Sequence, residues 1–469
     1  MTNKKIIRPL VGLAIVVVLS LPSCKISKDY TAPKVDTTDL YRNNTGSDTT
    51  TVANIPWKQY FADPLLQDLI TEGLAKNTNM QVAQLRIQQA EAAFTMAKAA
   101  NLPTLSVAAQ VSHTQISSGK NGTDVLGYSV DHVNSLGFAT SWEVDLWGKL
   151  NSQKRAKYAS LLNSFEYSNL IKTSLIASIA KSYYSLMAFD EQLRITNKTI
   201  DLLKISVETM TALKEAGTVN GAAVEQSKAL LYSSQLGIPV LERQIYETEN
   251  AICILLNRKP GTIKRDSISH QTIPSEFKVG VPVQMVANRP DVRQAELSFR
   301  SAFELTNVAQ ASMYPSLSIS SASIGLASDG ISNFFKPGNI AATIAGGLSQ
   351  PLFLKRQLKS NLAIAKAQQA EALLNFQNAV LVAGQEVSNI LNGFNLSLSK
   401  NNLRDMQINS YSTAVDYTQQ LLSAGEANYT EVLSAQRNLL SAQLSQVDDK
   451  LEQLTYSVSL YKALGGGYK

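Results

Sequence analysis

The sequence contains few of the residues that disulfide bonds, metal sites and acid–base catalysis require. Its 469 residues include 2 cysteines and 3 histidines. Cys24 and Cys253 are too few for a disulfide framework, and Cys253 lies in the run AICILL, where we expect a small buried side chain. The histidines form neither an HExxH motif nor a cluster with cysteine. The sequence therefore predicts no metal site and no cofactor.

Motifs of catalytic sites are also missing. No GxSxG, Walker loop or GxGxxG occurs at a suitable turn from a strand into a helix. We therefore expect that the protein is not an enzyme, and we assign no catalytic residue. The glycines of GLSQP and of the terminal GGG are interpreted as ordinary glycine use.

Charge is scarce as well. Charged residues make up 17% of the chain, whereas average soluble domains have about 25%. The 43 basic residues exceed the 37 acidic ones by only six, and three of the basic residues lie in the first ten positions. So small a surplus on so long a chain does not indicate nucleic-acid binding.

Long apolar runs are confined to the N-terminus. A basic start is followed by an apolar run from Leu10 to Leu21, which is too short for a spanning helix and is typical of a secretory signal. Leu21-Pro22-Ser23-Cys24 is similar to the bacterial lipobox, whose cysteine becomes the lipidated first residue. We therefore predict a signal peptide over 1–23 and a lipidated extended segment over 24–63, with palmitate attached at Cys24. Because no later stretch reaches about 18 apolar residues, a membrane crossing would need β-strands.

The chain repeats itself. Residues 77–107 align with 289–319 at an offset of 212, and residues 213–236 align with 421–444 at an offset of 208. The aligned positions include alanines spaced by seven, a proline and the glycine of an Ala-Gly pair. The sequence therefore contains an internal tandem duplication of a unit of roughly 210 residues.

The spacing of proline indicates where the long helices lie. None occurs between Pro103 and Pro239 or after Pro351, and the spans 149–215 and 355–423 are rich in alanine, leucine and glutamine. A helix of that length would extend about 100 Å. Glycines in the Ala-Gly pairs suit a left-handed C-terminal cap, so each long helix is expected to end in a tight tip. Shorter helices, broken at Gly237 and Pro239 or at Gly384 and Gly393, remain an alternative.

Alternating segments between the helices predict strands. In LPTLSVAAQVSHT and HVNSLGFATSWEVDLW, apolar residues alternate with small or polar ones. The second repeat has YPSLSISSASIGLAS, whose alternation slips midway, and GNIAATIAGGLSQPLF. Strands of about ten residues with one apolar face suit a transmembrane β-barrel, but four strands are too few to close one. Several copies must therefore contribute, so the strand count predicts an oligomer.

These patterns divide the chain into two repeats and their connections. The first repeat is predicted over 64–256 and the second over 285–464, with a linker over 257–284 and a tail over 465–469. The predicted elements of the first repeat are a leading helix, strands 102–116 and 133–147, long helix 149–215, tip 216–219 and helix 220–256. Those of the second are a leading helix, strands 314–328 and 338–353, long helix 355–423, tip 424–427 and helix 428–464.

The chain resembles the TolC family of outer-membrane efflux proteins, and within it the lipoprotein branch that includes OprM and serves resistance-nodulation-division (RND) pumps. The similarity lies in the lipobox-like segment, SWEVDLWGKL, NRPDVRQAELSFRSAFELTNVAQASMYPSLSIS and AGEANYTEVLSAQRNLLSAQ. Together with the duplication, these segments cover nearly the whole mature chain.

The resemblance implies an α+β membrane protein that forms a homotrimer. Twelve strands, four from each chain, would form one β-barrel in the outer membrane, continuous with a long periplasmic α-helical barrel. The linker over 257–284 would join an equatorial belt. The lipid-anchored channel would passively conduct drugs, detergents or metals from a periplasmic adaptor (membrane fusion) protein and an inner-membrane RND pump, and so confer antibiotic resistance.

Roles for individual residues also follow from the resemblance. The family closes its periplasmic end with polar and acidic side chains, for which Asp416 and Glu426 are the acidic candidates; the alternative is that both are solvated helix-surface carboxylates. The second strand pair ends in PLFLKRQLKS, where family members usually have glycine and aspartate after the aromatic residue. The tips expected to contact the adaptor comprise Ala216, Gly217, Thr218, Ala424, Gly425 and Glu426.

The segment SWEVDLWGKL raises a separate question, because Glu143 and Asp145 could be an acid–base pair. The alternation instead places both on the small, polar face of a strand, which the resemblance makes the lumen side of the barrel. Trp142 and Trp147 suit the aromatic belt at a membrane interface. With Gly148 permitting the turn, the segment is interpreted as the junction between a membrane strand and a periplasmic helix.

Two other functions remain open at this point. A type I protein secretion system uses the same kind of outer-membrane duct. A lipid-anchored coiled-coil scaffold without a pore would account for the anchor and the helices, but not for the two strand pairs at matching places in both repeats.

Overall fold

The computed structural model describes residues 26–38, 40–42, 51–113, 132–272, 279, 287–328 and 334–468. The predicted signal peptide and the predicted lipid-attachment residue Cys24 lie outside the described residues. The chain divides into two compact units. Unit 1 comprises 1–33, 88–163 and 296–375, and unit 2 comprises 34–87, 164–295 and 376–469.

Most of the described residues are helical. Two helices, α3 and α7, have 67 residues each and are therefore about 100 Å long. Within the described ranges, no helix has both the length and the apolar character that a membrane span needs. Besides one short turn of helix at Trp57–Tyr60, the helices are α1 (Pro64–Lys76), α2 (Thr78–Ala99), α3 (Lys149–Glu215), α4 (Gly221–Gln235), α5 (Gly237–Leu255), α6 (Pro290–Ala311), α7 (Gln357–Ser423) and α8 (Tyr429–Ala463).

The leading helix of the first repeat is not continuous. It breaks at Asn77, between α1 and α2. The Asn77 side chain accepts hydrogen bonds from the backbone N–H groups of Asn79 (2.9 Å) and Met80 (3.3 Å), and it donates to the Leu255 carbonyl (2.8 Å). This N-cap ends one helix and begins the next.

Breaks in the other helices follow only part of the alternative derived from glycine and proline. The segment predicted as helix 220–256 is interrupted at Leu236, next to Gly237. By contrast, α7 continues through Gly384 and Gly393. A Cβ at Gly384 would collide with the Leu40 side chain, and one at Gly393 with the Tyr456 ring. These two glycines make room for packing within unit 2 and do not break the helix.

The strands of unit 1 form one antiparallel sheet. Its order is β1-β2-β3-β4, and β5 also pairs with β3. The strands are β1 (Thr104–His113), β2 (His132–Val144), β3 (Ser316–Ser328), β4 (Ile340–Thr343) and β5 (Gly346–Ser349). The single strand predicted over 338–353 is therefore two short strands that lie along successive parts of β3.

A bulge in β3 explains both this split and the slip in alternation. The pairing of β2 with β3 shifts between Thr140 and Trp142, because Thr140 lies opposite Ala322 and Trp142 opposite Ile319. One extra residue of β3 fits into this interval, as in a β-bulge. On the other side of β3, residues 316–319 pair with β5 and residues 323–326 with β4. The ladder is thus interrupted at the same level on both sides.

The bulge keeps the apolar residues on one face. Directly opposite residues in antiparallel strands share a face. In this register the apolar residues of one strand lie opposite those of the next, so they share that face. Examples are Val107, Phe138 and Ile324, which lie opposite one another in succession. The face contains Leu105, Val107, Ala109, Val111, Leu136, Phe138, Thr140, Trp142, Val144, Leu317, Ile319, Ala322, Ile324, Leu326, Ile340, Ala342, Gly346 and Leu348.

Unit 2 contains the large hydrophobic clusters. One surrounds the middle of α3, where Ile179 and Tyr183 are fully buried against residues of α1, α5 and α8. A second lies along α7 and includes Val380 and Val387. Because α3 and α7 each have one stretch in such a cluster, packing within unit 2 stabilises helices whose sequences are only weakly amphipathic.

Candidate functional site

The apolar face of the sheet is exposed in the single chain. Leu105, Val107 and Val111 on β1 are exposed, as are Phe138 on β2 and Leu348 on β5. A continuous apolar surface of this kind marks an interaction with a membrane or a protein. It therefore forms the first part of the candidate site.

The opposite face carries small or polar side chains. It includes Ser106, Ala108 and Gln110 on β1, and Gly137 and Ala139 on β2. A Cβ at Gly137 would lie 2.7 Å from the Ile324 carbonyl oxygen, so β2 and β3 approach closely here. The small residues of this face project little from the sheet.

The turn from β2 into α3 is built by a carboxylate cap. Asp145 lies one residue beyond the end of β2 and accepts hydrogen bonds from the backbone N–H groups of Leu150 (3.0 Å) and Asn151 (2.8 Å). Gly148 has a φ of +74°, a left-handed conformation in which side chains are strained. Asp145 is thus a helix cap, not the strand-face residue that the alternation predicted.

Glu143 lies within β2 and forms an ion pair with Lys149, at 2.8 Å. Glu143 is thus paired with a lysine and Asp145 caps a helix, so the two carboxylates are not arranged as an acid–base pair. The two residues instead connect the strand end to the first turns of α3.

The two tryptophans of this segment also hold the junction together. Trp142 Nε1 donates to the Asn101 carbonyl (3.0 Å), and Trp147 Nε1 donates to the Pro315 carbonyl (2.6 Å). The Trp147 ring lies 5.3 Å from the Tyr314 ring. Trp147 therefore ties the start of β3 to the end of β2, in addition to any role at a membrane interface.

An extended N-terminal segment reaches the same turn. Asn307 on α6 accepts a hydrogen bond from the Lys28 N–H (3.1 Å) and donates to the Lys28 carbonyl (2.9 Å). The Tyr30 ring packs edge-on against Phe303. A Cβ added at Gly148 would lie 3.0 Å from Ser27 Oγ. Residues 27–30 are therefore packed within unit 1, and no sequence motif predicted this contact.

The turn from β5 into α7 has a different chemistry. Lys355 and Arg356 have φ values of 47° and 64°, so both non-glycine residues adopt the left-handed conformation. The helix begins at Gln357, two residues later than predicted. Phe353, at the position that corresponds to Asp145 at an offset of 208, is 96% exposed.

Both helical tips have the C-cap that the Ala-Gly pairs predicted. Gly217 and Gly425 have φ values of 73° and 77°. At the first tip the Thr218 N–H donates to the Leu213 carbonyl (2.9 Å), and at the second the Glu426 N–H donates to the Leu421 carbonyl (2.9 Å). These are the backbone bonds of a Schellman cap. No added Cβ would meet an atom within 4 Å at either glycine, so both tips are open for contact.

The helices that follow the tips begin with asparagine caps. Asn220 accepts from the Ala223 N–H (3.2 Å), and Asn428 accepts from the Thr430 N–H (3.2 Å). Asp416 and Glu426 are both exposed. In the described part of the chain neither of them forms an ion pair.

Above the second tip, α7 and α8 are joined by a ladder of polar pairs that the sequence did not predict. Arg404 Nε donates to Asp449 (2.7 Å), Lys400 pairs with Glu452 (2.7 Å), and Gln446 donates to Asp405 (2.8 Å). Five of these six side chains are charged, and they connect the two helices of the hairpin. A signal was available in sequence, since charges on both helices recur at matching distances from Gly425.

The Arg-Pro-Asp sequence at the start of α6 forms a charge cluster around the buried Arg289 side chain. Arg289 donates two hydrogen bonds to Asp291 (3.0 and 2.7 Å), and it lies 2.8 Å from Glu386. Its third contact is the Ala463 carbonyl, at 2.8 Å. Burial favours a raised pKa for Asp291, but the Arg289 guanidinium outweighs burial and lowers the pKa of that carboxyl. One arginine thus joins α6, α7 and the end of α8.

The terminal glycines have a specific packing role, so their interpretation as ordinary glycines was wrong. Gly465 has a φ of 85°, and a Cβ there would lie 2.6 Å from the Asn288 carbonyl oxygen. The Gly466 position faces the Tyr461 ring, and the Tyr468 carbonyl accepts a hydrogen bond from Lys172 (2.8 Å). The tail is therefore packed within unit 2 and needs these glycines for its close contacts.

Potential metal ligands do not gather in the described residues. No group of three or more histidine, cysteine, aspartate or glutamate side chains there could hold a metal ion. Cys253 is buried, as predicted. The candidate site therefore consists of surfaces and junctions.

Comparison with known proteins supplies the family. The model of the outer membrane efflux protein family matches residues 69–258 and 281–466. The solvent efflux pump outer membrane protein SrpC of Pseudomonas putida is 26% identical over 464 residues, which are 97% of this chain and 98% of that protein. The cation efflux system protein CusC of Escherichia coli is 25% identical over 462 residues, with coverages of 97% and 98%.

Solved structures agree with this assignment. The open state of the MtrE outer membrane channel of Neisseria gonorrhoeae has a TM-score of 0.84 at 25% identity and covers 95% of this chain and 99% of its own. The outer-membrane channel OprN, at 24% identity, has a TM-score of 0.85, with coverages of 95% and 100%, and shows the same fold. The chain belongs to the outer membrane efflux protein family.

Proposed function

We propose that this chain is the outer-membrane channel of a tripartite efflux system. It conducts small molecules passively, from a periplasmic adaptor protein and an inner-membrane RND pump to the cell exterior. The observation that carries the proposal is the sheet, whose continuous apolar face and opposite face of small residues suit a wall between lipid and water. Family membership supports the same function.

The edges of this sheet support an oligomer. β1 pairs only with β2, and β4 and β5 pair only with β3, among the described strands. Unpaired strand edges within a membrane leave backbone groups without hydrogen bonds. Three copies would join these edges in a twelve-stranded barrel, with the long helices forming an α-helical barrel in the periplasm. The internal duplication would make the wall quasi-sixfold.

The contacts with partners lie at the two ends in this proposal. The open Ala-Gly tips, at Ala216 to Thr218 and at Ala424 to Glu426, bind the adaptor. Asp416 and Glu426 are candidates for the periplasmic gate. Lipid attached at Cys24 anchors the chain to the outer membrane, and the ordered segment at Ser27 to Tyr30 connects that anchor to unit 1.

The substrate class is proposed from similarity to relatives. Relatives are named for the efflux of solvent, toluene and cations and for the export of pyoverdine. We propose a small hydrophobic compound, a detergent or a metal ion, selected by the pump. The channel itself needs no cofactor for this role.

Single-channel recording in planar bilayers tests the proposal. The purified full chain is expected to give discrete conductance steps, whereas a scaffold without a pore would give none. A deletion strain is then compared with its parent for sensitivity to drugs, dyes, bile salts and metals. Unchanged sensitivity together with a defect in protein secretion would replace efflux by type I secretion, and no change in either would contradict the proposal.

A further inference from the structure

The segment between β5 and α7, residues 351–359, combines exposed apolar side chains with cations. We call it the apolar–basic junction. Leu352 is 81% exposed and Phe353 is 96% exposed, and Leu354 is exposed as well. Lys355, Arg356 and Lys359 follow directly and are exposed. In the described part of the chain, none of these three cations forms an ion pair.

The corresponding turn of the first repeat has its charges balanced. Helices α3 and α7 begin at Lys149 and Gln357, an offset of 208. At the first turn, Asp145 caps the helix and Glu143 pairs with Lys149. At the second, Phe353 replaces the capping aspartate, and α7 has no acidic residue in its first turn. The cations there lie near the positive end of a helix dipole, which is unfavourable without a nearby anion.

The sequence around the junction offers no anion of its own. No aspartate or glutamate occurs between Asp329 and Glu371, whereas five basic residues do. The backbone is also strained, because Lys355 and Arg356 both adopt left-handed φ values where the first turn has Gly148. An anionic partner from outside this stretch would balance the charge.

The junction also extends the apolar face of the sheet. Leu348 on β5 lies opposite Leu317, which lies opposite Val144, and these residues are on that face. Leu352 follows Leu348 by four residues. In the proposed function this face contacts lipid hydrocarbon, so the junction lies where the hydrocarbon ends and the headgroups begin. Apolar side chains followed by lysine and arginine are suited to that boundary.

We propose that the apolar–basic junction is a lipid-binding surface. Leu352 and Phe353 insert at the edge of the hydrocarbon, and Lys355 and Arg356 bind the headgroup phosphate of an anionic phospholipid in the periplasmic leaflet. Lys359 adds charge on the next turn. The inference rests on the proposed function, which places the sheet in a membrane.

Lipid retention by the full chain tests this surface. The oligomer is placed in nanodiscs of phosphatidylethanolamine with phosphatidylglycerol, and the lipids that remain bound are counted by native mass spectrometry. The double variant Lys355→Gln/Arg356→Gln is compared with Lys198→Gln/Lys214→Gln, which removes the same charge from exposed positions of α3. We expect the first variant to lose its preference for phosphatidylglycerol by roughly fivefold per cation, and the control to keep it. Equal preference in wild type and both variants would overturn the proposal.

A second measurement identifies what covers Phe353. Phe353→Cys is labelled with a fluorophore, while Cys253 is buried. Quenching by doxyl-labelled phosphatidylglycerol, stronger in the wild-type background than in Lys355→Gln/Arg356→Gln, is the expected result. Shielding from lipid and aqueous quenchers alike would show that a neighbouring copy covers the residue, and preferential quenching by iodide would show that water does. Either result rejects the lipid site.

Conductance of the same samples separates the two proposals. The wild type and the variants are expected to conduct alike, because the junction does not line the passage. Conductance without lipid preference would overturn only the lipid site. A wild type that retains phosphatidylglycerol but never conducts would contradict the proposed channel function.

Discussion

Replacing Arg289 tests how α6, α7 and the end of α8 are held together in unit 2. Its side chain is 8% exposed and contacts Asp291, Glu386 and the Ala463 carbonyl. In Arg289→Met the apolar stem remains, but two carboxylates and one carbonyl lose their donor. Removal of one partner from a buried ion pair costs about 3–5 kcal/mol. Since both carboxylate side chains are 39% exposed, water compensates in part, and we expect about 2–3 kcal/mol.

The assay is thermal loss of the helical circular dichroism signal in detergent at pH 7. With roughly 2 °C per kcal/mol for a large domain, the transition should fall by about 4–6 °C. Arg293→Met is the matched control, because Arg293 is more exposed and pairs with Glu166 at 2.9 Å. Ion pairs near the surface contribute about 0–1 kcal/mol, so the control should shift the transition by no more than about 2 °C.

The pH dependence supplies a second check. The pKa of Asp291 in the folded protein is lowered from 3.8. The stability linked to this carboxyl is therefore present above pH 3.8 and is lost as the pH falls through the folded pKa. In Arg289→Met that acid-dependent loss should be smaller. Equal shifts for both variants at pH 7, with the acid dependence of Arg289→Met unchanged, would refute the role assigned to the cluster.

Three further outcomes are expected. Asp145→Ala should lower the free energy of unfolding by about 1 kcal/mol, because two backbone N–H groups lose their cap. Asp145→Asn should keep most of that stability, since its amide oxygen still accepts. Equal losses for the two variants in thermal denaturation would contradict the cap. Gly425→Val should destabilise the tip by about 1–2 kcal/mol, because valine is strained in the left-handed conformation. Gly221→Ala, at a position without a positive φ, is the control. Proteolytic nicking at the tip should increase in Gly425→Val, and unchanged nicking would count against this. The hydrogen bond from Arg258 is the main cause that lowers the pKa of Glu72 to about 2. In Arg258→Met, the loss of stability between about pH 4.5 and 2 in an acid titration should therefore be smaller. A titration identical to that of the wild type would reject the Arg258–Glu72 pair.

The periodic parts of the fold could be predicted because they depend on local pattern. The proline-free spans and Ala-Gly pairs predicted helices that end at Glu215 and Ser423, and the structure has them there. Alternation also predicted which strand residues share a face. Breaks were harder to predict, because Asn77 and Leu236 interrupt helices whereas Gly384 and Gly393 do not. That difference depends on which side chains pack against each position.

The site residues also divide into those that a local pattern predicts and those that depend on tertiary contacts. The capping glycines of the tips could be identified, since a left-handed C-cap needs only the residue itself and its neighbours. Asp145 could not be distinguished from a strand residue, because its role depends on β2 ending at Val144. The ladder between α7 and α8 and the Arg289 cluster join residues far apart in the chain, so the local sequence does not predict which side chains pair.

The sequence by itself predicted the internal duplication, the long helices and the two-faced strands, and its motifs resemble those of the family. The helices and strands follow from periodicity, which each segment carries independently of the rest. Only the tertiary structure decided that a bulge in β3 keeps the apolar residues on one face, and that the terminal glycines are packed. It alone also revealed that Glu143 and Asp145 balance the charge of one strand-to-helix turn, whereas the cations of the other turn form no ion pair with the residues that the structure describes. Each of these depends on which atoms meet across the fold, and a one-dimensional pattern does not contain that information.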